Sequence, residues 1–139
     1  MLFTAAAAAA LFASSAVRAE VVKLHADLNA RQEVPPNNST ATGVVNGTLD
    51  TSAKKLTYDL TYTGLSGPAT MAHIHGPAGP SANAPILFPF PNPASPAVGT
   101  ADVNEATVRA IMDGKAYVNV HTAAHPGGEI RGQIQVTKQ

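Results

Sequence analysis

Lys55-Leu56-Thr57-Tyr58-Asp59-Leu60-Thr61-Tyr62-Thr63 alternates without a break. In an extended chain Leu56, Tyr58, Leu60 and Tyr62 fall on one side and Thr57, Asp59, Thr61 and Thr63 on the other. Aromatic and β-branched residues at this period mark a strand with one buried face. Upstream, Val44 to Leu49 forms the other arm of a hairpin across Asp50-Thr51-Ser52-Ala53-Lys54. Val21 to Leu28 opens the series, with Val22, Leu24, Ala26 and Leu28 on one face and Lys23, His25 and Asp27 on the other. Two further runs, 116–122 and 129–136, close it; the latter turns Ile130, Gly132, Ile134 and Val136 inward and Arg131, Gln133 and Gln135 outward. Between strands, Asn29 to Thr42 reads as a loop. Asn104 to Gly114 is the one helix candidate, capped by Asn104, with Val108, Ile111 and Met112 on a shared face and Gly114 to end it. The pattern predicts an all-β fold, an antiparallel Greek-key-like β-sandwich or barrel with one short helix.

From Gly76 to Pro96 the chain carries seven prolines. Proline has no N–H to give to a sheet ladder, so this stretch reads as a long surface loop. Ile86, Leu87, Phe88 and Phe90 within it are expected to pack back onto the domain, the other readings being a lid over the histidines and a contact surface.

Length and charge narrow the function classes. The 139 residues suit one domain and contain no cysteine and no tryptophan. Residues 1–19, an alanine-rich apolar stretch ending in small residues, read as a secretory signal peptide, although no Lys or Arg precedes the apolar core. Residues 20–139 then form the mature domain, secreted or periplasmic, with no membrane association once the signal is cleaved. Removing Arg18 with the signal leaves 8 basic against 9 acidic residues, which speaks against nucleic acid as a partner. A chain of this length buries an adequate core without disulfides.

Four of the five histidines lie in two segments, Met71-Ala72-His73-Ile74-His75-Gly76-Pro77 and Tyr117-Val118-Asn119-Val120-His121-Thr122-Ala123-Ala124-His125-Pro126-Gly127-Gly128. On a strand, His73 and His75 share one face while Ala72 and Ile74 take the other. Likewise Val118 and Val120 face one way and Tyr117, Asn119 and His121 the other. His125 sits in the turn that follows. The spacing predicts a metal site built from His73, His75, His121 and His125, with His25 read as a solvated polar-face residue. An all-imidazole set without thiolate suits copper, with zinc as the alternative, and disfavours the hard cations. Glu129, Asn119 and backbone carbonyls are the candidates to orient the imidazoles. Arg131 reads as a surface charge paired with Glu129; the alternative is that it draws a small anion to the metal.

Several motifs together resemble the chordin-type (CHRD) domain: Gln32-Glu33-Val34-Pro35-Pro36, Ala41-Thr42-Gly43, Leu56-Thr57-Tyr58, Gly64-Leu65, Ala72-His73-Ile74-His75-Gly76, Tyr117 to Thr122, and Pro126-Gly127-Gly128-Glu129-Ile130-Arg131-Gly132-Gln133. The resemblance runs over nearly all of residues 20–139. It implies a secreted or periplasmic all-β domain; in animals such domains occur within chordin, an antagonist of bone morphogenetic proteins. More distantly, the chain is similar to copper/zinc superoxide dismutases, which place an H-x-H copper pair on one strand and another copper histidine late in the sandwich. By that likeness His73 and His75 match the early pair and His121 or His125 the late ligand. The chain lacks the dismutase cysteines and the histidine that bridges to zinc, so the likeness implies a copper-only centre. Two function classes follow. One is a mononuclear copper protein, either a superoxide-dismutase-like redox enzyme acting on superoxide or a carrier. The other is an extracellular interaction module in which the histidines are structural. A homodimer through a strand edge is compatible with either. No nucleophile–base or paired-carboxylate constellation supports ordinary hydrolysis.

Overall fold

The computed structural model describes residues 20–139; the expected signal segment, residues 1–19, lies outside them. Among the described residues nine strands and one short α-helix follow one another as β1 (Val21–Asn29), β2 (Thr42–Asp50), β3 (Lys55–Thr63), β4 (Ala69–His75), β5 (Ile86–Pro89), β6 (Ala97–Asp102), α1 (Glu105–Met112), β7 (Tyr117–Thr122), β8 (Ile130–Gln133) and β9 (Gln135–Lys138), with a single 3-10 turn, Ala30–Gln32, after β1. All pairings are antiparallel, in the order β5-β4-β7-β8-β1-β2-β3-β6, with β9 beside β1. The fold is all-β, as the alternation predicts.

Each half-buried strand turns its apolar set the same way. Leu24, Ala26 and Leu28 of β1, Leu56, Tyr58 and Leu60 of β3, Ala72 and Ile74 of β4, and Val118 and Val120 of β7 join one core. The sheet curls to enclose it. Tyr58 of β3 meets Phe88 of β5 at 5.8 Å and Phe90 at 4.9 Å between ring centroids, although β3 and β5 lie near opposite ends of the strand order. The last strand carries the curl. β8 pairs with β7, then the chain breaks at Ile134, whose N–H goes to the Ala116 carbonyl at 2.9 Å, and β9 pairs with β1. The single run expected over 129–136 is thus two strands: β8 lies between β7 and the end of β1, and β9 runs beside the start of β1.

The helix starts as expected. The Asn104 side chain accepts from the Thr107 N–H at 2.9 Å, and Gly114 follows the C-terminus at φ +70°.

The proline-rich stretch departs from its expectation. Residues 86–89 form β5, an edge strand on β4, where a proline such as Pro89 is tolerated because one side of the strand makes no ladder bonds. Phe90 is buried in the core, and Phe88 and Leu87 pack against it; only Ile86 of the four is exposed. These side chains therefore fill the core. The histidines are not beneath them. The other end of the sheet is β6, a strand that the sequence marks weakly because Ala97, Gly99 and Ala101 are small. Gly99 is required there: a Cβ would meet the Tyr58 ring, 2.8 Å from Cζ.

Candidate metal centre

The sheet face opposite the core decides the site. On β4 this face carries Met71, His73 and His75; on β7 it carries His121, Asn119 and Tyr117, paired with them in that order. Arg131 of β8 stands beside Asn119. A polar strand face is normally left to water, yet here His73, His75, Tyr117, Asn119, His121 and Arg131 are all buried. Loops cover them.

Two buried, ionised side chains tie loops to the sheet, and one of them, Arg131, holds the 79–83 loop of that cover. Arg131, 1% exposed, lies over the Tyr117 ring at 3.4 Å and donates from Nη2 to the carbonyls of Gly79 (3.0 Å) and Ala82 (2.9 Å) and from Nη1 to Asn83 Oδ1 (3.2 Å). Glu129, fully buried, accepts from Ser39 Oγ (2.7 Å), Thr122 Oγ1 (2.7 Å), Ser66 N–H (3.0 Å) and Ser66 Oγ (2.9 Å). Burial pushes the Glu129 carboxyl up, but those hydrogen bonds outweigh it and hold it below its ordinary value. The expected surface pair of Glu129 with Arg131 is not formed. Each charge instead staples different loops to the sheet, and the reason is solvation: an ion taken out of water needs several donors or acceptors around it.

Within this cover His73, His75 and His121 gather. One ring nitrogen of each lies within 4.8 Å of the others, and they are the group of this kind among the described residues. His121 Nδ1 donates to the Pro126 carbonyl at 2.8 Å, which leaves Nε2 as its lone-pair nitrogen and the acceptor of a 3.1 Å hydrogen bond from His73 Nδ1. His75 Nδ1 lies 2.9 Å from the Ala84 carbonyl and its Nε2 2.9 Å from Asn119 Oδ1, two acceptors of which a neutral ring, with one N–H, serves one at a time. His75 is also stacked flat on Tyr117, 4.9 Å between centroids and 5° from parallel. Arg131, Tyr117 and His75 thus form one column, and the loop residue Ala84 gives its N–H to the Tyr117 hydroxyl at 3.0 Å. The column aims His75.

The electrostatics favour the neutral form of His73 and His75. Burial, then the neighbouring His121 and His75, lowers the His73 pKa to about 4. Burial also lowers that of His75, against the hydrogen bonds to Ala84 and Asn119, which raise it. Neutral imidazole is the form that binds metal. Two nitrogens each about 2.0–2.1 Å from one ion, at right angles, sit about 2.9 Å apart, close to the separation of the His73 and His121 nitrogens. The carbonyls on His75 and His121 are the acceptors that fix the tautomer and rotation of metal-binding imidazoles. The three residues could hold a single ion if their ring nitrogens close in on it.

His125 is not brought into this group. It occupies the turn after β7: its N–H donates to the Thr122 carbonyl at 3.1 Å and its own carbonyl accepts from Gly128 N–H at 3.0 Å. Its side chain lines a cleft with Ser39, Ser66 and Glu129. His25 lies on the outer face of β1, bonded to Asn46 at 2.8 Å and beside Asp27 at 3.3 Å. Glu33 was missed as a member of the site. It is buried, and burial raises its pKa to about 7 although the Arg131 charge and the Asn119 amide pull it down. Gly128, at φ +125°, lets the turn approach it: a Cβ there would collide with Glu33 Oε1 and stand 2.6 Å from Asn119 Nδ2.

No helix among the described residues is long and apolar enough to cross a membrane. Comparison with curated proteins finds no match, and comparison with solved structures finds none. The model of the CHRD domain family, by contrast, matches residues 24–134, and the chain belongs to that family.

Proposed function

We propose that this CHRD domain is a secreted or periplasmic copper protein, with one ion held by His73, His75 and His121. The observation that carries the reading is the gathering of three buried imidazoles, with backbone carbonyls of Pro126 and Ala84 placed beside the Nδ1 atoms of His121 and His75. Such a set binds Cu(II) in preference to Zn(II) where both are available. Bound copper supplies one-electron chemistry, which suits either a copper-only, superoxide-dismutase-like redox centre or a carrier.

The chain's own residues set the terms of binding. His73 Nδ1, His75 Nε2 and His121 Nε2 are the donors. To bind the ion, His75 Nε2 would give up its contact with Asn119 Oδ1. The column of Arg131 and Tyr117 keeps the His75 ring from rotating. Arg131 is committed to the 79–83 loop, so a small anion such as superoxide reaches the site without help from its guanidinium.

A copper titration tests the reading. His73→Ala or His121→Ala abolishes tight binding of one equivalent, whereas His25→Ala and His125→Ala leave it in place. Equal binding by all four variants sinks the assignment. A dismutase assay of the copper form then separates enzyme from carrier, since a rate no higher than that of free copper excludes catalysis by the domain.

A further inference from the structure

Among the described residues four large apolar side chains are exposed, Val21, Met71, Ile86 and Val98, and Met71, at 48%, is the one with a ligand atom. Its position is specific. β4 is regular from Met71 onward, so Met71 shares the outer face with His73 and His75, and the ladder sets it directly opposite His121. Residues so paired have Cβ atoms about 4.5–5.5 Å apart, well within the reach of a side chain with three rotatable bonds. The neighbouring positions are closed: Ala72 and His73 are buried, and Tyr117, Asn119, Ala84 and Pro126 wall in the other imidazoles. β5 pairs with β4 from His73 onward and leaves the Met71 end uncovered. The rim of the triad beside His121 thus carries an exposed thioether.

We propose that Met71 is a fourth ligand, a thioether that joins the histidines when the ion is Cu(I). The inference rests on the copper reading of the triad and adds to it a second oxidation state and its ligand. Thioether sulfur is soft and selects Cu(I), whereas Cu(II) is satisfied by imidazole. No cysteine exists in the chain to take this role, and the other methionine among the described residues, Met112, packs against the core. A flexible, exposed side chain at the rim engages one oxidation state and withdraws from the other at little cost in packing.

The test loads the protein anaerobically with one equivalent of Cu(I), and separately with Cu(II), in the wild type and in Met71→Leu. Because Met71 is half exposed, leucine there leaves the fold intact. X-ray absorption of the wild-type Cu(I) form is expected to show one sulfur scatterer that Met71→Leu lacks. Cu(I) affinity is expected to fall roughly tenfold or more with Cu(II) affinity nearly unchanged, which lowers the copper potential by about 59 mV per tenfold. A nitrogen-only shell with equal Cu(I) affinity in both proteins overturns the Met71 assignment alone. Failure of the wild type to hold either ion overturns the triad reading and this one with it.

Discussion

Around the histidines the two faces of β4, β7 and β8 are both buried, and by opposite means. The inner face does it with Ala72, Ile74, Val118, Val120 and Ile130, whose cover is the rest of the core. The outer face does it with imidazoles, an amide, a phenol and the Arg131 guanidinium, under a loop that Arg131 holds down. Apolar burial is non-directional and tolerates exchange of one hydrocarbon for another. Polar burial needs each donor and acceptor matched, so it fixes side-chain positions. A metal site needs the second kind of face. The same strands supply both because their side chains alternate.

The comparison predicts different failures on the two sides. Ile74→Ala removes buried hydrocarbon from the inner face and should cost about 2–5 kcal/mol, read as a lower denaturant midpoint at unchanged slope. The folded variant should keep its copper stoichiometry. Arg131→Met, on the outer face, strands the carbonyls of Gly79 and Ala82 and should cost about 1.5–3 kcal/mol. Its damage should be local: amide exchange in residues 78–84 accelerates more than in β1–β3. Uniform acceleration would mean that the two faces are not separable. Gly128→Ala should cost about 1–3 kcal/mol through its φ of +125° and also disturb Glu33 and Asn119, visible as weaker copper binding.

The smallest expected effect is in the pH dependence. Burial raises Glu33 to about 7 from 4.5, so the folded state holds that proton more firmly than the unfolded chain. The contribution is fully present below pH 4.5 and is lost as pH rises through about 7. His73 runs the other way. With its pKa lowered to about 4 from 6.5, the unfolded chain binds the proton first, so stability falls as pH drops from 6.5 to about 4. The two oppose each other where the windows overlap. Glu33→Gln should therefore steepen the rise of stability with pH and leave the variant more stable than wild type at about pH 8, by denaturant midpoints. A variant less stable there would show that the carboxylate is held by partners and not strained by burial.

Sequence alone made the strand faces legible. Leu56, Tyr58 and Leu60 are buried where alternation puts them, and so are Ala72 and Ile74 opposite the histidines. The gathering of His73, His75 and His121 followed from the same rule. What alternation does not carry is the cover. Arg131 reads as a surface residue because its acceptors, Gly79, Ala82 and Asn83, lie about fifty positions away in a loop with no periodicity. β5 was hidden by its prolines, which an edge strand accepts, and β6 by its small residues. Glu33 carried no local sign, since its burial depends on a turn that passes close to it only because residue 128 is glycine.

One measurement bears most directly on the account: the EPR spectrum of the protein with one equivalent of Cu(II), beside that of His121→Ala. The account predicts a single axial signal in the wild type, with nitrogen hyperfine structure from several imidazoles, that is lost or replaced in the variant. A heterogeneous signal, or the same spectrum from both proteins, would contradict it.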